Sequence, residues 1–204
     1  MEKPSGYIAL LDASVLFPVF TSNLLLWLAY RQIYQPKWSH DIHEEWAERR
    51  LARYPNASRA ALEQKRDRMD LEFEEALVTG YEPLIATLSF SDPDDRHVLA
   101  AAISCKAAVI VTNDRDFEHL PKEIEIAAQT ADDFIAAQVG VTAGSAREVA
   151  IALIKHKRSL TKSRLTWKEY FAEMQRKLPH SYAEFNRTRF RSTLIEALHY
   201  LNGA

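Results

Sequence analysis

Four acidic side chains occupy positions that favour chemistry at a bound cation. Asp12 directly follows the apolar run 7–11, and Asp114 follows the β-branched run 108–112 by two residues. Glu45 and Asp95 lie in two segments that have helical spacing of apolar residues. Because functional crevices in open α/β sheets lie beyond the carboxyl ends of the strands, we expect these acids to converge there.

Carboxylates that converge among apolar neighbours need a partner of opposite charge. Two of them about 4 Å apart repel by roughly 4 kcal/mol at an effective dielectric near 20. No lysine adjoins these acids, and of the arginines only Arg96 and Arg115 do. Hard oxygen ligands, in a chain with one cysteine and no HxxxH pair, predict Mg²⁺ or Mn²⁺ rather than zinc.

Composition excludes several classes of protein. The 204 residues are 47% hydrophobic and 26% charged, which is typical of a globular chain with a buried core. Five glycines are too scattered for GxGxxG or GxxxxGK[ST], so a dinucleotide fingerprint and a P-loop are excluded. The single cysteine, Cys105, excludes a disulfide framework and a CxxC motif. The apolar run 24–29 is too short for a membrane span, so we expect a cytoplasmic protein without membrane association.

The order of the segments predicts a parallel α/β sheet that is covered by helices on both faces. Strands are predicted at 7–12, 84–88, 108–112 and 124–127. The apolar, non-alternating composition of these four segments is typical of buried parallel strands. Helices are predicted at 24–32, 40–53 and 59–78, and from Pro93 and Thr130. Ser39 and Ser58 have the side chains expected of N-caps.

A second, all-helical part is predicted after a boundary at Gly140 to Gly144. The predicted domains are therefore 1–139 and 140–204. The latter contains 12 Lys or Arg against 5 Asp or Glu, although a solvated helix face explains such an excess equally well. Its predicted features are capping boxes at Ser145-Glu148 and Thr166-Glu169 and a last helix over about 182–201.

The chemistry-bearing segments resemble those of the PIN-domain ribonucleases, especially the VapC toxins of prokaryotic toxin–antitoxin modules. The similar segments are LDASVL at 11–16, Glu45-Trp46, DPDDRHVLAAA at 92–102 and IVTNDRDF at 110–117. The resemblance covers about residues 7–137, and its specificity rests on the order and separation of the segments together. It implies a PIN-like sheet over the first domain.

The resemblance also implies roles for individual residues. Asp12, Glu45 and Asp95 match the family's three acids, and Asp114 matches its more variable fourth. Asp12, Asp95, Asp114 and Asp116 are the predicted metal ligands. Ser14 and Thr112 would orient carboxylates, and Arg96 is a candidate phosphate contact that suits an ion pair with Asp92 or Asp94 at least as well.

Three positions keep an alternative. Glu44 competes with Glu45, which is preferred because it directly precedes Trp46. Asp94 competes with Asp95, which is preferred because a D-x-x-[IVL]-x-A register then includes Val98. Asp116 is as consistent with capping a turn as with binding metal, and Asp92 is interpreted as a helix cap.

The function that the resemblance implies is Mg²⁺- or Mn²⁺-dependent endoribonuclease activity with 5′-phosphate and 3′-hydroxyl products. Such a toxin would act on RNA, be neutralised by a VapB-like antitoxin and form a homodimer. The alternative is a catalytically silent PIN-like protein that binds antitoxin or nucleic acid. His40, His43 and His97 are interpreted as solvated helix residues.

The basic residues of 140–204 are interpreted as an RNA-binding surface. They include Arg158, Lys162, Arg164, Arg187, Arg189 and Arg191.

Overall fold

Strands and helices alternate in the first part of the chain, and helices alone follow. The computed structural model describes residues 7–88, 90, 92–120, 124–139, 143–160 and 165–203. Its strands are β1 (Ile8–Leu11), β2 (Gln35–Ser39), β3 (Leu77–Val78), β4 (Val109–Val111) and β5 (Ala127–Gln129). Its helices are α1 (Ala13–Leu16), α2 (Val19–Tyr30), α3 (His40–Arg53), α4 (Arg59–Glu72), α5 (Glu82–Ile85), α6 (Arg96–Ser104), α7 (Ala131–Ala137), α8 (Ala143–Ser159), α9 (Trp167–Lys177), α10 (Pro179–Phe185) and α11 (Thr188–Gly203), with a 3₁₀ turn at Arg115–His119.

The five strands form one parallel sheet in the order β3-β2-β1-β4-β5. In the central strand β1, Leu10 pairs with Lys37 of β2 and with Ile110 of β4. Helices α3 and α6 pack against this sheet. The predicted fold class, a parallel α/β sheet flanked by helices with a helical C-terminal part, is confirmed.

Contacts within the chain divide it into two compact units. The sheet unit comprises Ser5–Val19 and Tyr34–Gln129, and it includes all five strands. The helical unit includes Phe20–Ile33 and Thr130–Ala204. These units do not follow one cut in the sequence, and the predicted domain boundary at 139–140 stays a prediction.

Burial in the sheet unit follows from its parallel pairing. Leu10 and Leu11 of β1 and Ile110 and Val111 of β4 have no exposed surface, so consecutive side chains are buried on both faces of the sheet. Parallel strands with both faces covered have this non-alternating pattern. The apolar composition of the two central strands is therefore sufficient to identify them in the sequence.

Helix α3 begins and ends where the sequence predicts. The Ser39 hydroxyl accepts a hydrogen bond from the Ile42 amide at 3.2 Å, and Pro55 follows the helix. The expectation that His43 is solvated is wrong, because its side chain is 1% exposed. Its Nδ1 accepts a hydrogen bond from Trp46, and its Nε2 lies 3.0 Å from the Asp70 carboxylate on α4.

The predicted strand at 84–88 is wrong, since residues 82–85 form helix α5. A short apolar run does not distinguish a strand from a helix by periodicity alone, and Glu82 and Pro83 in the first turn favour the helix. The sheet instead continues from β1 through β2 to the edge strand β3. The predicted helix 59–78 accordingly ends at Glu72, and β3 follows it.

Other predicted boundaries also shift. The helix expected from Pro93 begins at Arg96, and the strand expected at 124–127 lies at Ala127–Gln129. The expected last helix is divided into α10 and α11. Ser145 lies inside α8 and is not its cap, and the helix expected at 24–32 begins earlier, at Val19.

The helical unit has its own buried core. Thr166 and Glu169 form the predicted capping box at the start of α9. His156 and Tyr170 are buried, with His156 Nδ1 2.8 Å from the Tyr170 hydroxyl.

Within the described residues, no helix is both long enough and apolar enough to cross a membrane. The predicted RNA contacts Lys162 and Arg164 lie outside the described residues.

We expect Ser39→Ala to lower the free energy of unfolding by about 1 kcal/mol, because α3 loses its N-terminal cap. Urea denaturation followed by far-UV circular dichroism measures this change. Ser58→Ala is the matched control, because Ser58 caps α4 at an exposed position with a 3.3 Å hydrogen bond. An effect of Ser39→Ala no larger than that of Ser58→Ala would contradict a specific role for the buried cap.

Candidate metal centre

The carboxylate of Asp12 is fixed at the carboxyl end of β1. The Asp12 amide donates to the carbonyl of Val111 at 3.0 Å, which places the ends of β1 and β4 side by side. The Asp12 side chain caps α1, accepting hydrogen bonds from the amides of Ala13 at 2.6 Å and Ser14 at 3.2 Å. Only 5% of Asp12 is exposed, so these bonds replace water around a nearly buried charge.

Two hydroxyls complete the hydrogen bonding of Asp12. Ser14 Oγ donates to Asp12 Oδ2 at 2.6 Å, and Thr112 Oγ1 donates to the same oxygen at 2.8 Å. Each hydroxyl also accepts from a backbone amide, Ser14 from Asn113 and Thr112 from Asp114, both at 2.9 Å. Because each hydroxyl accepts from an amide, its proton is directed at Asp12. These bonds hold the Asp12 carboxylate in one orientation, and the role of both hydroxyls in a reaction stays a prediction.

A second group of acids lies within ligand distance of one another. One carboxylate oxygen from each of Asp92, Asp95 and Asp116 lies within 4.8 Å of the other two. Asp95 stands at the N-cap of α6 but makes no side-chain capping bond, so its carboxylate is available to a ligand. Asp92 accepts a hydrogen bond from the Asp94 amide at 2.9 Å. Asp116 is exposed and follows β4 in the 3₁₀ turn.

Electrostatics connect the two groups. The pKa of Asp95 is raised from 3.8 to about 7, first by burial and then by the negative charges of Asp114, Asp12, Asp92 and Glu45. The other three acids predicted from the sequence therefore act electrostatically on Asp95, together with Asp92. The metal-free site has an excess of negative charge that favours a proton or a cation.

Glu45 faces this group from α3 and is itself held by two basic side chains. Arg49 lies one helical turn away and its Nη2 is 2.5 Å from Glu45 Oε1. His97 Nε2 is 3.5 Å from Glu45 Oε2, which is buried and has no hydrogen-bond partner within the described residues. Burial lowers the pKa of His97, but its close contact with the Glu45 carboxylate, and then the charges of Glu45, Asp41 and Asp12, outweigh this effect and the net pKa is raised.

The remaining predicted residues are placed as follows. Asp114 caps the 3₁₀ turn by accepting from the Asp116 amide at 3.1 Å. Arg96 is half-buried, and its Nε has no hydrogen-bond partner in the described part of the chain. Glu44, the alternative to Glu45, pairs with Arg66 at 3.0 Å. Asp94, the alternative to Asp95, is exposed.

These residues fit a divalent cation such as Mg²⁺ or Mn²⁺. Mg²⁺ and Mn²⁺ prefer carboxylate oxygens, and Asp92, Asp95 and Asp116 offer three at ligand separations. The raised pKa of Asp95 identifies a carboxyl group whose negative charge the described residues do not balance. Asp12 lies outside the three-acid group, and three hydrogen-bond donors already reach its Oδ2: the Ser14 amide and the hydroxyls of Ser14 and Thr112.

Two residues of the site are not identified by sequence reasoning. Asp92 has the sequence context of a helix cap, yet the helix begins four residues later and its carboxylate joins Asp95 and Asp116. His97, expected to be solvated, has a side chain that is only 16% exposed and faces Glu45. One signal for Asp92 was available in the sequence: the segment DPDD at 92–95 contains three acids, whereas capping a helix requires only one.

Comparison with known proteins identifies the sheet unit. A protein-family model described as "PIN domain" matches residues 9–116, which include every acid of the candidate metal centre. No curated protein and no solved structure matches the chain.

We expect Asp95→Asn to stabilise the metal-free protein at pH 7. Between pH 3.8 and about 7 the folded chain binds a proton at Asp95 that the unfolded chain releases. The contribution of Asp95 to the free energy of unfolding therefore falls as pH rises through this window. Urea denaturation in EDTA at several pH values measures it. Asp94→Asn is the matched control, and a pH dependence that Asp95→Asn leaves unchanged would contradict this assignment.

The same substitution at Asp12 should have the opposite effect. The side-chain NH₂ group of an asparagine is a donor, and it would face amides and hydroxyls that also donate. We therefore expect the free energy of unfolding to fall by about 1–3 kcal/mol. Asp114→Asn is the control, because the Asp114 side chain accepts one exposed backbone hydrogen bond. Equal stability of the two variants in EDTA would contradict the structural role of Asp12.

Proposed function

The chain belongs to the PIN domain family, and we propose that it is a Mg²⁺- or Mn²⁺-dependent endoribonuclease. Proteins of this family are generally metal-dependent nucleases. The observation that carries the proposal is the convergence of Asp12, Glu45, Asp92 and Asp114 on Asp95, whose pKa their charges help to raise. A catalytically silent protein has no need for this uncompensated charge.

The acids have different tasks in this proposal. Asp95, Asp92 and Asp116 would hold the cation, with Asp114 and Glu45 as neighbouring carboxylates. When bound, the cation supplies Lewis-acid activation of water and positive charge for the phosphodiester. Asp12 holds its orientation through Ser14 and Thr112, so its charge requires no rearrangement during the reaction. Arg96, whose Nε has no hydrogen-bond partner among the described residues, would contact a phosphate.

Water as nucleophile gives 5′-phosphate and 3′-hydroxyl products. The sequence resemblance to VapC toxins supports a toxin that a VapB-like antitoxin neutralises, acting in the cytoplasm as a homodimer. These partners and this location are proposals, as is RNA binding by the basic residues of the helical unit. In that unit Arg187 pairs with Glu184, whereas Arg189 and Arg191 are exposed.

Cleavage of an end-labelled single-stranded RNA tests the proposal. We expect activity with Mg²⁺ or Mn²⁺, none in EDTA, and a loss on the order of 100-fold or more in Asp95→Asn and Glu45→Gln. Their matched controls are Asp94→Asn and Glu44→Gln, which alter the neighbouring acids and should retain most activity.

Denaturing gels give the rates, and mapping of product ends gives the chemistry. Wild-type protein that leaves RNA intact with either cation would contradict the nuclease proposal and favour the binding-protein alternative. Greater loss in Glu44→Gln than in Glu45→Gln would show that Glu44 is the functional residue of the pair. Cyclic phosphate ends would contradict hydrolysis by water.

A further inference from the structure

Beside the acidic site, the sheet unit has a basic and aromatic surface that the nuclease chemistry does not use. We define the α3 ledge as Phe17, Arg49, Arg50, Arg53 and Tyr54. Phe17 directly follows α1, whose N-cap is Asp12, and the other four lie on or directly after α3. Helices α1 and α3 contact each other, so the two parts of the ledge lie on neighbouring elements that also carry Asp12 and Glu45.

The ledge continues one face of α3 away from Glu45. Glu45, Arg49 and Arg53 are spaced by four residues, so their side chains follow one another along the helix. Eight residues of helix place Arg53 about 12 Å from Glu45. A polymer chain bound at the acids therefore reaches Arg53 by following this face.

Aromatic rings give the ledge a second property. The rings of Phe17 and Tyr54 stack with centroids 6.3 Å apart and planes 20° apart. Arg50 fixes this pair, because its Nη1 donates to the Phe17 carbonyl at 3.0 Å and its guanidinium lies 4.9 Å from the Tyr54 ring centroid. Tyr54 is 46% exposed, and the Arg53 guanidinium lies 5.8 Å from its ring centroid, so an exposed aromatic side chain and a cation stand side by side.

Positive charge on the ledge is only partly compensated. Arg49 pairs with Glu45, but Arg50 and Arg53 form no ion pair among the described residues. Lys65 of α4 adds a further cation, with its Nζ 4.9 Å from the Trp46 ring centroid. Burial, and then the charge of Arg50, lowers the pKa of Lys65 to about 8. These cations favour an anionic ligand.

We propose that the α3 ledge binds a single strand of RNA leading to the candidate metal centre, with an unpaired base on Tyr54 and a phosphate at Arg53. Exposed aromatic rings combined with a positive surface are the general means by which proteins bind single strands. A duplex presents no free base face to Tyr54. This inference rests on the proposed ribonuclease function and names the form of RNA that the site accepts.

Binding in EDTA tests the ledge separately from catalysis. The probe is a short fluorescein-labelled oligouridylate, measured by anisotropy over a range of salt concentrations, with its duplex with oligoadenylate as competitor. We expect Tyr54→Leu to raise Kd on the order of 10-fold, whereas Tyr54→Phe keeps the stacking face and the wild-type Kd. Arg53→Gln should raise Kd and reduce the slope of log Kd against log salt by about 0.7.

Arg68→Gln is the matched charge control, because Arg68 is exposed on α4 of the same unit. The proposal is overturned if wild-type protein does not bind the single strand, if the duplex competes equally well, or if Arg68→Gln weakens binding as much as Arg53→Gln. The proposal is also overturned if the ledge variants bind RNA as the wild type does but lose binding to polyglutamate. That result would show that the ledge binds an acidic protein segment instead of RNA. A nuclease assay that fails while ledge binding holds would reject the proposed catalysis instead.

Discussion

Repulsion between carboxylates is the constraint that organises the candidate site. Several acids reach one edge of a parallel sheet, and each must be balanced by hydrogen bonds, by a basic side chain or by a cation. Asp12 is balanced by hydrogen bonds, and Glu45 is partly balanced by Arg49 and His97. Asp95 has neither among the described residues, and burial followed by the negative charges of its neighbours raises its pKa to about 7. The negative charge around Asp95 that no described residue balances is the physical argument for a bound cation.

The hydroxyls of Ser14 and Thr112 connect this electrostatic problem to the fold. They donate to one oxygen of Asp12 and accept from the amides that follow β4. The same bonds therefore orient the acid and join the loops after two adjacent strands. Local hydrogen bonding of this type fixes a functional group without requiring any movement during the reaction.

Helix α3 serves both the acidic site and its surroundings. Its N-terminal half, capped by Ser39, presents Glu45 to the acids and places Trp46 in the core. Its C-terminal half carries arginines that are exposed or half-buried beside Tyr54. An acidic site that acts on a polyanion needs positive charge nearby, and one helix supplies it within two turns of Glu45.

Sequence alone was sufficient to predict the central strands, the position of Asp12 and Asp114 at their ends, and the limits of α3. These features depend on local composition: continuous apolar runs, an N-cap serine and a following proline. Strand β2 was not predictable, because Gln35–Ser39 has no apolar run and is held by its pairing with β1. The positions of Asp92 beside Asp95 and of His97 against Glu45 were also decided only by the tertiary structure. Their roles depend on burial and on charges from distant parts of the chain, and neither quantity exists until the chain has folded.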